Sequence, residues 1–352
     1  MTGKQNTGKQ NAGKQNAGKQ CTGEQTAGEQ SAGEQTAGEQ TAGEQTAGEE
    51  STSRQPTGEL GLRLPSPLVE IFDERLGGVR LLLKRDDLIH PDFPGTKWRK
   101  LKYNIAAAAG RPILTFGGTH SSHLLATAAA GHHLGFRTIG VVRGEERPSP
   151  VLAQAAEHGM TLKYISRSEY RTKTEPGFED GLHAEFGDFR LVPEGGANAY
   201  GLRGCAELMR EIDADFEVFC CAAGTGTTLA GVATALRPGQ RAIGFSALKG
   251  GAFLNNEITR LQEAAGQKTA SQETAGQETA SQQTAVQEKE GNWSIETGFH
   301  FGGYARRPPA LDAFIDEFHN RHGIVLDRVY EAKMMFGLYA NPPGGTVVAL
   351  IA

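Results

Sequence analysis

From Val79 to Ile351 the chain alternates short, continuously apolar runs with stretches of helical period, and this rhythm limits the folds open to it more than any other feature. Val79–Lys84 (VRLLLK), Pro112–Phe116 (PILTF), Thr138–Val142, Leu162–Ile165, Phe189–Val192, Glu217–Cys221, Ala242–Ala247 and Thr346–Ile351 read as strands. Helices are expected at Lys97–Gly110, Ser121–Gly135, Val151–Gly159, Ala199–Ile212, Thr227–Leu236, Ala310–Arg321 and Tyr330–Leu338. Strands without a polar face must be covered on both sides, which is the property of parallel sheets joined by helices. The expected class is α/β, with two open, twisted parallel sheets. Ligands of such sheets bind beyond the carboxyl ends of the strands, so the chemistry is sought in the loops that follow them.

Two tracts stand outside this rhythm. Residues 2–50 repeat a five-residue unit with glycine at every fifth position from 3 to 48, and Gly266–Gly291 reuses the same letters. Neither carries enough large apolar side chains to offset the entropy of ordering its backbone, so both are expected to be disordered. A period of five matches neither the heptad nor the longer solenoid repeats, and glycine at that frequency costs a helix about 1 kcal/mol each time. The tracts carry 4 Lys against 7 Glu and 2 Lys against 4 Glu, which together account for the whole formal charge of −5. The remainder is neutral, which argues against a nucleic-acid partner held by a basic surface. No apolar run reaches the roughly 18 residues a membrane span needs, and residues 1–57 have neither the apolar segment of a secretion signal nor an Arg-rich amphipathic stretch. Cys21, Cys205, Cys220 and Cys221 form neither a disulfide ladder nor a CxxC zinc pair, so reduced thiols in a cytoplasmic protein, and no metal, are expected. The organisation that follows is a tail at 1–57, a large domain from 58–110 and 190–352 carrying the 266–291 insert, and a small α/β domain at 111–189.

Three loops carry chemistry. After the strand ending at Cys221 comes Ala222-Ala223-Gly224-Thr225-Gly226-Thr227-Thr228-Leu229-Ala230-Gly231. Small residues let backbone N–H groups approach an anion, the threonines add hydroxyl donors, and the next helix presents its positive end. The spacing GxGxxxxG is neither a Walker loop nor a dinucleotide fingerprint, and a plain strand-to-helix turn could look the same. In Gly95-Thr96-Lys97-Trp98-Arg99-Lys100 a Thr-capped helix begins with a lysine, and Lys97 shares a helix face with Lys100. A lysine becomes a Schiff-base nucleophile when desolvation or neighbouring cations lower its pKa, and Arg99 and Lys100 are read as such neighbours. Gly117-Gly118-Thr119-His120-Ser121-Ser122-His123 turns from strand to helix with hydroxyls suited to a carboxylate, although capping alone would also explain the serines. Phe301-Gly302-Gly303-Tyr304 and Tyr330-Glu331 are further candidates, with ring packing and a helix-start acid as the plain alternatives.

Taken in order, these pieces resemble the pyridoxal-phosphate enzymes of the 1-aminocyclopropane-1-carboxylate deaminase / D-cysteine desulfhydrase family. The resemblance runs through LPSPL (64–68), KRDDL (84–88), GTKWRKLKYN (95–104), TFGGTHSSH (115–123), GVVRGEE (140–146), PEGGAN (193–198), AAGTGTTLAG (222–231), FHFGGYA (299–305) and VYEAKMMFG (329–337). It implies a tryptophan synthase beta-like fold (fold type II), a large domain that binds pyridoxal 5'-phosphate, a small amino-acid substrate and a homo-oligomer. By it, Lys97 holds the cofactor and then acts as base or acid, Gly224, Thr225, Gly226, Thr227 and Thr228 hold its phosphate, and Glu331 faces the pyridine nitrogen. Ser121 matches a catalytic or carboxylate-binding serine, with Ser122 beside the cofactor and His123 toward the substrate. Tyr304 and Tyr330 match active-site tyrosines. The implied reaction converts D-cysteine or 1-aminocyclopropane-1-carboxylate to a 2-oxo acid and ammonia, with sulfide from D-cysteine.

Four departures accompany the resemblance. Thr96 and Ser122 stand where the family has asparagine, Ala332 replaces a glycine, and the sequence stops at Ala352 where relatives continue. They keep open a second reading, a protein of this fold that binds cofactor or a small ligand without turnover. A third is a repeat-tethered interaction protein.

Overall fold

The computed structural model describes residues 60–93, 95–273 and 291–352, with the side chains of 267–273 outside that description. The disorder expected for 1–57 falls outside it. A six-stranded sheet has the order β1-β2-β10-β7-β8-β9, with β1 Leu68–Ile71, β2 Arg80–Arg85, β7 Val218–Ala223, β8 Arg241–Ser246, β9 Trp293–Glu296 and β10 Thr346–Ile351. A four-stranded sheet has the order β5-β4-β3-β6, from β3 Ile113–Gly117, β4 Thr138–Arg143, β5 Thr161–Ile165 and β6 Arg190–Val192. Every neighbouring pair is parallel except β1 with β2. The all-parallel expectation is corrected at that edge: β1 is half-exposed and returns to β2 by a short connection, which only antiparallel pairing permits.

The central strands show why their sequences are apolar throughout. Leu81, Leu83, Val218, Cys220, Val347, Ala349 and Ile351 face one layer of helices, α9 (Pro309–His322) and α10 (Glu331–Ala340), through Leu311, Phe314, Met335 and Leu338. Their alternates Leu82, Phe219, Cys221, Val348 and Leu350 face α6 (Ala199–Ala206), α7 (Thr227–Thr234) and α8 (Phe253–Glu273) through Leu202, Leu229, Val232 and Ile258. Successive side chains point to opposite faces, so a strand covered on both has no polar position. Cys220 and Cys221 therefore face different layers. Both are free, and burial pushes the Cys221 thiol up to about 12.

Three expectations shift. The helix from Ala199 gives way after Ala206 to a tighter turn at Glu207–Glu211, short of Ile212. Strand β6 joins the four-stranded sheet, which therefore reaches Val192 rather than stopping at 189. Helix α8 continues to Glu273, so residues 266–273 of the tract expected to be disordered are helical. Their Ala, Gln, Lys and Glu content favours helix, and a packed turn ending in Ile258 and Leu261 already bears the nucleation cost. Residues 274–290 lie outside the description.

Candidate active site

Four helices begin at one cavity of about 1140 Å³: α1 (Lys97–Ala108), α2 (Ser122–Leu134), α7 and α10. Each follows a strand end or loop of the parallel sheets, so four positive helix ends point into one space. Lys97, Ser121, Ser122, His123, Gly224, Thr225, Thr228, Tyr304, Tyr330 and Glu331 all line it. Gly226 and Thr227 do not. Gly226 caps α7 with a φ of 77°, and the hydroxyl of the buried Thr227 lies 2.9 Å from that of Thr225, so the pair shapes the loop from behind. A Cβ on Gly224 would come within 3.0 Å of the Tyr330 ring. Glycine is what lets the loop lie against that tyrosine.

Burial, and next the Lys100 charge, lower the Lys97 amine to about 8. Arg99 has no part in this, contrary to the sequence reading. It points away from the cavity into a buried ionic network, bonding Asp86 through Nε at 2.6 Å and Nη2 at 2.7 Å, and Glu211 through Nη1 at 2.7 Å and Nη2 at 2.8 Å. Lys84 adds bonds to Glu211 at 3.0 Å and the Ser66 carbonyl at 2.6 Å, while the Ser66 hydroxyl donates to Asp86 at 2.7 Å. The Arg99 carbonyl lies so close to Gly204 of α6 that a Cβ there would collide with it. Network and close packing together fix α1. Thr96 sits at the cap position of that helix, but its side chain makes no capping bond, since its φ of −68° and ψ of 6° are not those of an extended cap residue.

Lys100 was treated only as a neighbour in the sequence, yet it lines the cavity, is 8% exposed, and its ammonium has no hydrogen bond or ion pair among the described residues. The signal that could have found it is its i+3 spacing from Lys97. Lys333 was missed outright. Its buried ammonium bonds the carbonyls of Gly303 at 2.7 Å and Ala247 at 3.2 Å, pinning the loop that carries Tyr304 to the end of β8. A lysine enclosed by Ala332, Met334 and Met335 was the available hint.

Ser121 does cap α2, accepting from the Leu124 amide at 3.2 Å, and its own O–H remains free to donate. His123 is buried, and desolvation holds its imidazole down to about 3, so it is neutral. Thr115 donates its hydroxyl hydrogen to the Val192 carbonyl at 2.7 Å and must therefore accept from His123 Nε2–H at 2.9 Å. That leaves the His123 Nδ1 lone pair without a partner among the described residues. Burial raises the Glu331 carboxyl to about 8, although it accepts amides from Asp327 at 3.0 Å and from Ala352. The Tyr304 and Tyr330 rings meet edge to face at 6.0 Å, and burial raises both phenols. Arg143, Arg147 and Arg167 line the mouth against Glu145 and Glu194. Among the described residues no helix is long and apolar enough to cross a membrane.

The family described as "Pyridoxal-phosphate dependent enzyme" matches residues 60–351. A Pyrococcus furiosus protein named "Putative 1-aminocyclopropane-1-carboxylate deaminase" is 29% identical over 280 residues, covering 75% of this chain and 80% of that protein. The Arabidopsis thaliana "Bifunctional D-cysteine desulfhydrase/1-aminocyclopropane-1-carboxylate deaminase, mitochondrial" is 30% identical over 178 residues, 44% of each. The crystal structure of an ACC deaminase homologue superposes with a TM-score of 0.69 over 83% of this chain and 90% of that one, at 23% identity, so the fold is shared. With the family match spanning both sheets and every loop of the cavity, the chain belongs to the pyridoxal-phosphate dependent enzymes.

Proposed function

We propose that this protein is a pyridoxal-phosphate-dependent lyase and deaminase that converts D-cysteine or 1-aminocyclopropane-1-carboxylate to a 2-oxo acid and ammonia, with sulfide released from D-cysteine. The observation that carries the reading is the meeting of a lysine lowered to about 8, an unpaired buried lysine and a glycine-threonine loop at a helix start in one cavity. These residues fit the cofactor. Lys97 would hold it covalently. The otherwise unpartnered Lys100, the Thr225 and Thr228 hydroxyls and the 224–228 amides at the start of α7 would hold its phosphate, supported by the Gly226 and Thr227 framework. Glu331 would face the pyridine nitrogen. Bound pyridoxal phosphate supplies an electron sink for charge developing at the substrate α-carbon.

The chain's own residues then have separable tasks. Lys97, titrating near neutral pH, can take or return a proton at Nζ. Ser121 and Ser122 at the start of α2 donate to the substrate carboxylate. His123 is a neutral acceptor at Nδ1, so it suits a substrate N–H or S–H rather than a carboxylate. Tyr304 and Tyr330, with raised phenol pKa values, remain protonated donors beside the reacting atoms. Glu331 supplies the negative charge that a protonated ring nitrogen requires. The mouth arginines attract the carboxylate end of the zwitterionic substrate. On the same reading the two sheets are two domains, the smaller from 111 to the end of β6, within a cytoplasmic homo-oligomer.

The test loads the full chain with pyridoxal phosphate and assays D-cysteine and 1-aminocyclopropane-1-carboxylate side by side for 2-oxo acid. Turnover of at least one is expected. Lys97→Ala should remove the visible-range cofactor absorbance and lower kcat by about 10²- to 10⁴-fold, the typical weight of a positioned acid-base group. No 2-oxo acid from either amino acid, or undiminished turnover in Lys97→Ala, overturns the reading.

A further inference from the structure

We infer that His90, Asp92 and His133 form a binding site for a divalent transition-metal ion, Zn²⁺ by the chemistry of the donors, at the end of helix α2 remote from the cavity. One donor atom from each residue lies within 4.8 Å of the other two. His90 and Asp92 come from the segment that leads into Thr96 and Lys97, and His133 from the last turn of α2, 41 residues beyond Asp92. No sequence motif announces such a site, because its ligands belong to two elements joined only by the fold.

Several independent features converge on it. His133 Nε2 is 2.8 Å from the Asp92 carboxylate, and the Asp92 amide donates to His90 Nδ1 at 3.1 Å, so the three groups already address one another. The fully buried Phe93 backs both imidazoles, with ring centroids at 4.9 Å from His90 and 5.8 Å from His133. The opposite side is partly open, which gives an ion a route in. Imidazole is also in surplus. His158 Nε2 is buried without a partner among the described residues, and its ring lies 5.2 Å from that of His132, the neighbour of His133. A hydrogen-bonded Asp–His pair explains two of these residues; it does not explain why His90 brings a third donor atom within 4.8 Å of both.

Two imidazoles and one carboxylate without a thiolate suit Zn²⁺, Ni²⁺ or Cu²⁺ rather than Ca²⁺ or Mg²⁺. Tetrahedral zinc with bonds of about 2.0–2.2 Å places its donors roughly 3.4 Å apart, so side-chain rotation alone can close the group. Water completes the coordination. On binding, the His133 proton shared with Asp92 moves to its Nδ1 and the Nε2 lone pair goes to the metal, while His90, with its proton on Nε2, exchanges the Asp92 amide bond at Nδ1 for the metal. The ion would clasp the approach to Lys97 to α2, whose other end carries Ser121 and Ser122, so it is a positioning site without contact to reacting atoms.

The experiment strips the full chain with a chelator and titrates Zn²⁺ against a chromogenic competitor, following thermal unfolding in parallel. One Zn²⁺ per chain is expected, together with a rise in Tm. His133→Ala and Asp92→Ala should each weaken binding at least about 10-fold and abolish the Tm rise. His90→Gln, which retains the Phe93 packing, should do the same if the alanine variants fail to fold. Absence of binding in the micromolar range, or equal affinity in the wild type and a folded variant, overturns the inference; the second result places the metal elsewhere, for example at other imidazole groups.

Discussion

Two groups of buried charge flank the start of helix α1, and they are completed in opposite ways. On one side Arg99, Lys84, Asp86, Glu211 and Ser66 satisfy one another, with three nitrogens of Arg99 bonded to carboxylates. On the cavity side the Lys100 ammonium and His123 Nδ1 have no partner among the described residues, and Glu331 is lifted to about 8. Residue types and burial are similar. What differs is whether the protein itself supplies the counter-group, and that separates structure from function: a closed network holds the helix, and an open one waits for a ligand.

The largest effect is expected where the closed network is broken. Arg99→Met leaves Glu211 with Lys84 and the Ser66 amide, and Asp86 with the Ser66 hydroxyl and no cation bonded to it, and should cost about 3–5 kcal/mol, because an uncompensated buried carboxylate is expensive. Urea unfolding would register this as a lower midpoint at unchanged slope. A loss below about 1 kcal/mol would mean that the network contributes little and that α1 is fixed by packing alone.

That network also marks the limit of what the sequence disclosed. Strand rhythm and the three loops that meet at the cavity were readable, because local composition determines a tight turn and a helix start; Lys100, on one of them, was legible only as a neighbour of Lys97. The role of Arg99 was not readable from local composition, since Glu211 lies 112 residues away. Its direction was available in principle: residues two apart on a helix do not share a face, so Lys97 and Arg99 had to diverge while Lys97 and Lys100 converged. Strands β1 and β9 and helix α8 escaped for another reason. Strands β1 and β9 are only four residues long and mostly half-buried, too short for an alternation to stand out, whereas the i, i+4, i+7 spacing of the buried Leu254, Ile258 and Leu261 was a legible signal for α8.

On the open side the sharpest test is Glu331→Gln in the cofactor-free protein. The folded pKa is raised from 4.5 to about 8, so between those values the unfolded chain releases a proton that the folded chain keeps. Stability therefore falls as pH rises through that window, by something on the order of 3 kcal/mol. The variant should lose this slope, seen by comparing urea midpoints at pH 5 and pH 8. Lys97 acts above it with the opposite sign: its folded pKa is lowered from 10.5 to about 8, so stability recovers as pH rises between them. A wild-type profile parallel to that of Glu331→Gln from pH 5 to 8 would show that the carboxyl is already ionised.

Lys100→Met gives the smallest change and the most direct contrast with Arg99→Met, since the two cations are adjacent on one helix. Removing an unpaired buried ammonium deprives the folded protein of no bond, so the stability of the cofactor-free chain should hold or rise. The cost should appear only on loading. A charge-assisted bond to phosphate is worth about 1.5–3 kcal/mol, so pyridoxal-phosphate affinity should fall by roughly 10- to 150-fold. Titration of the visible absorbance measures the affinity, and urea unfolding without cofactor measures the stability. If Lys100→Met destabilises the cofactor-free protein as much as Arg99→Met does, the cavity lysine is a structural cation like its neighbour. If affinity falls while stability holds, the two sides of α1 divide as their hydrogen bonds indicate.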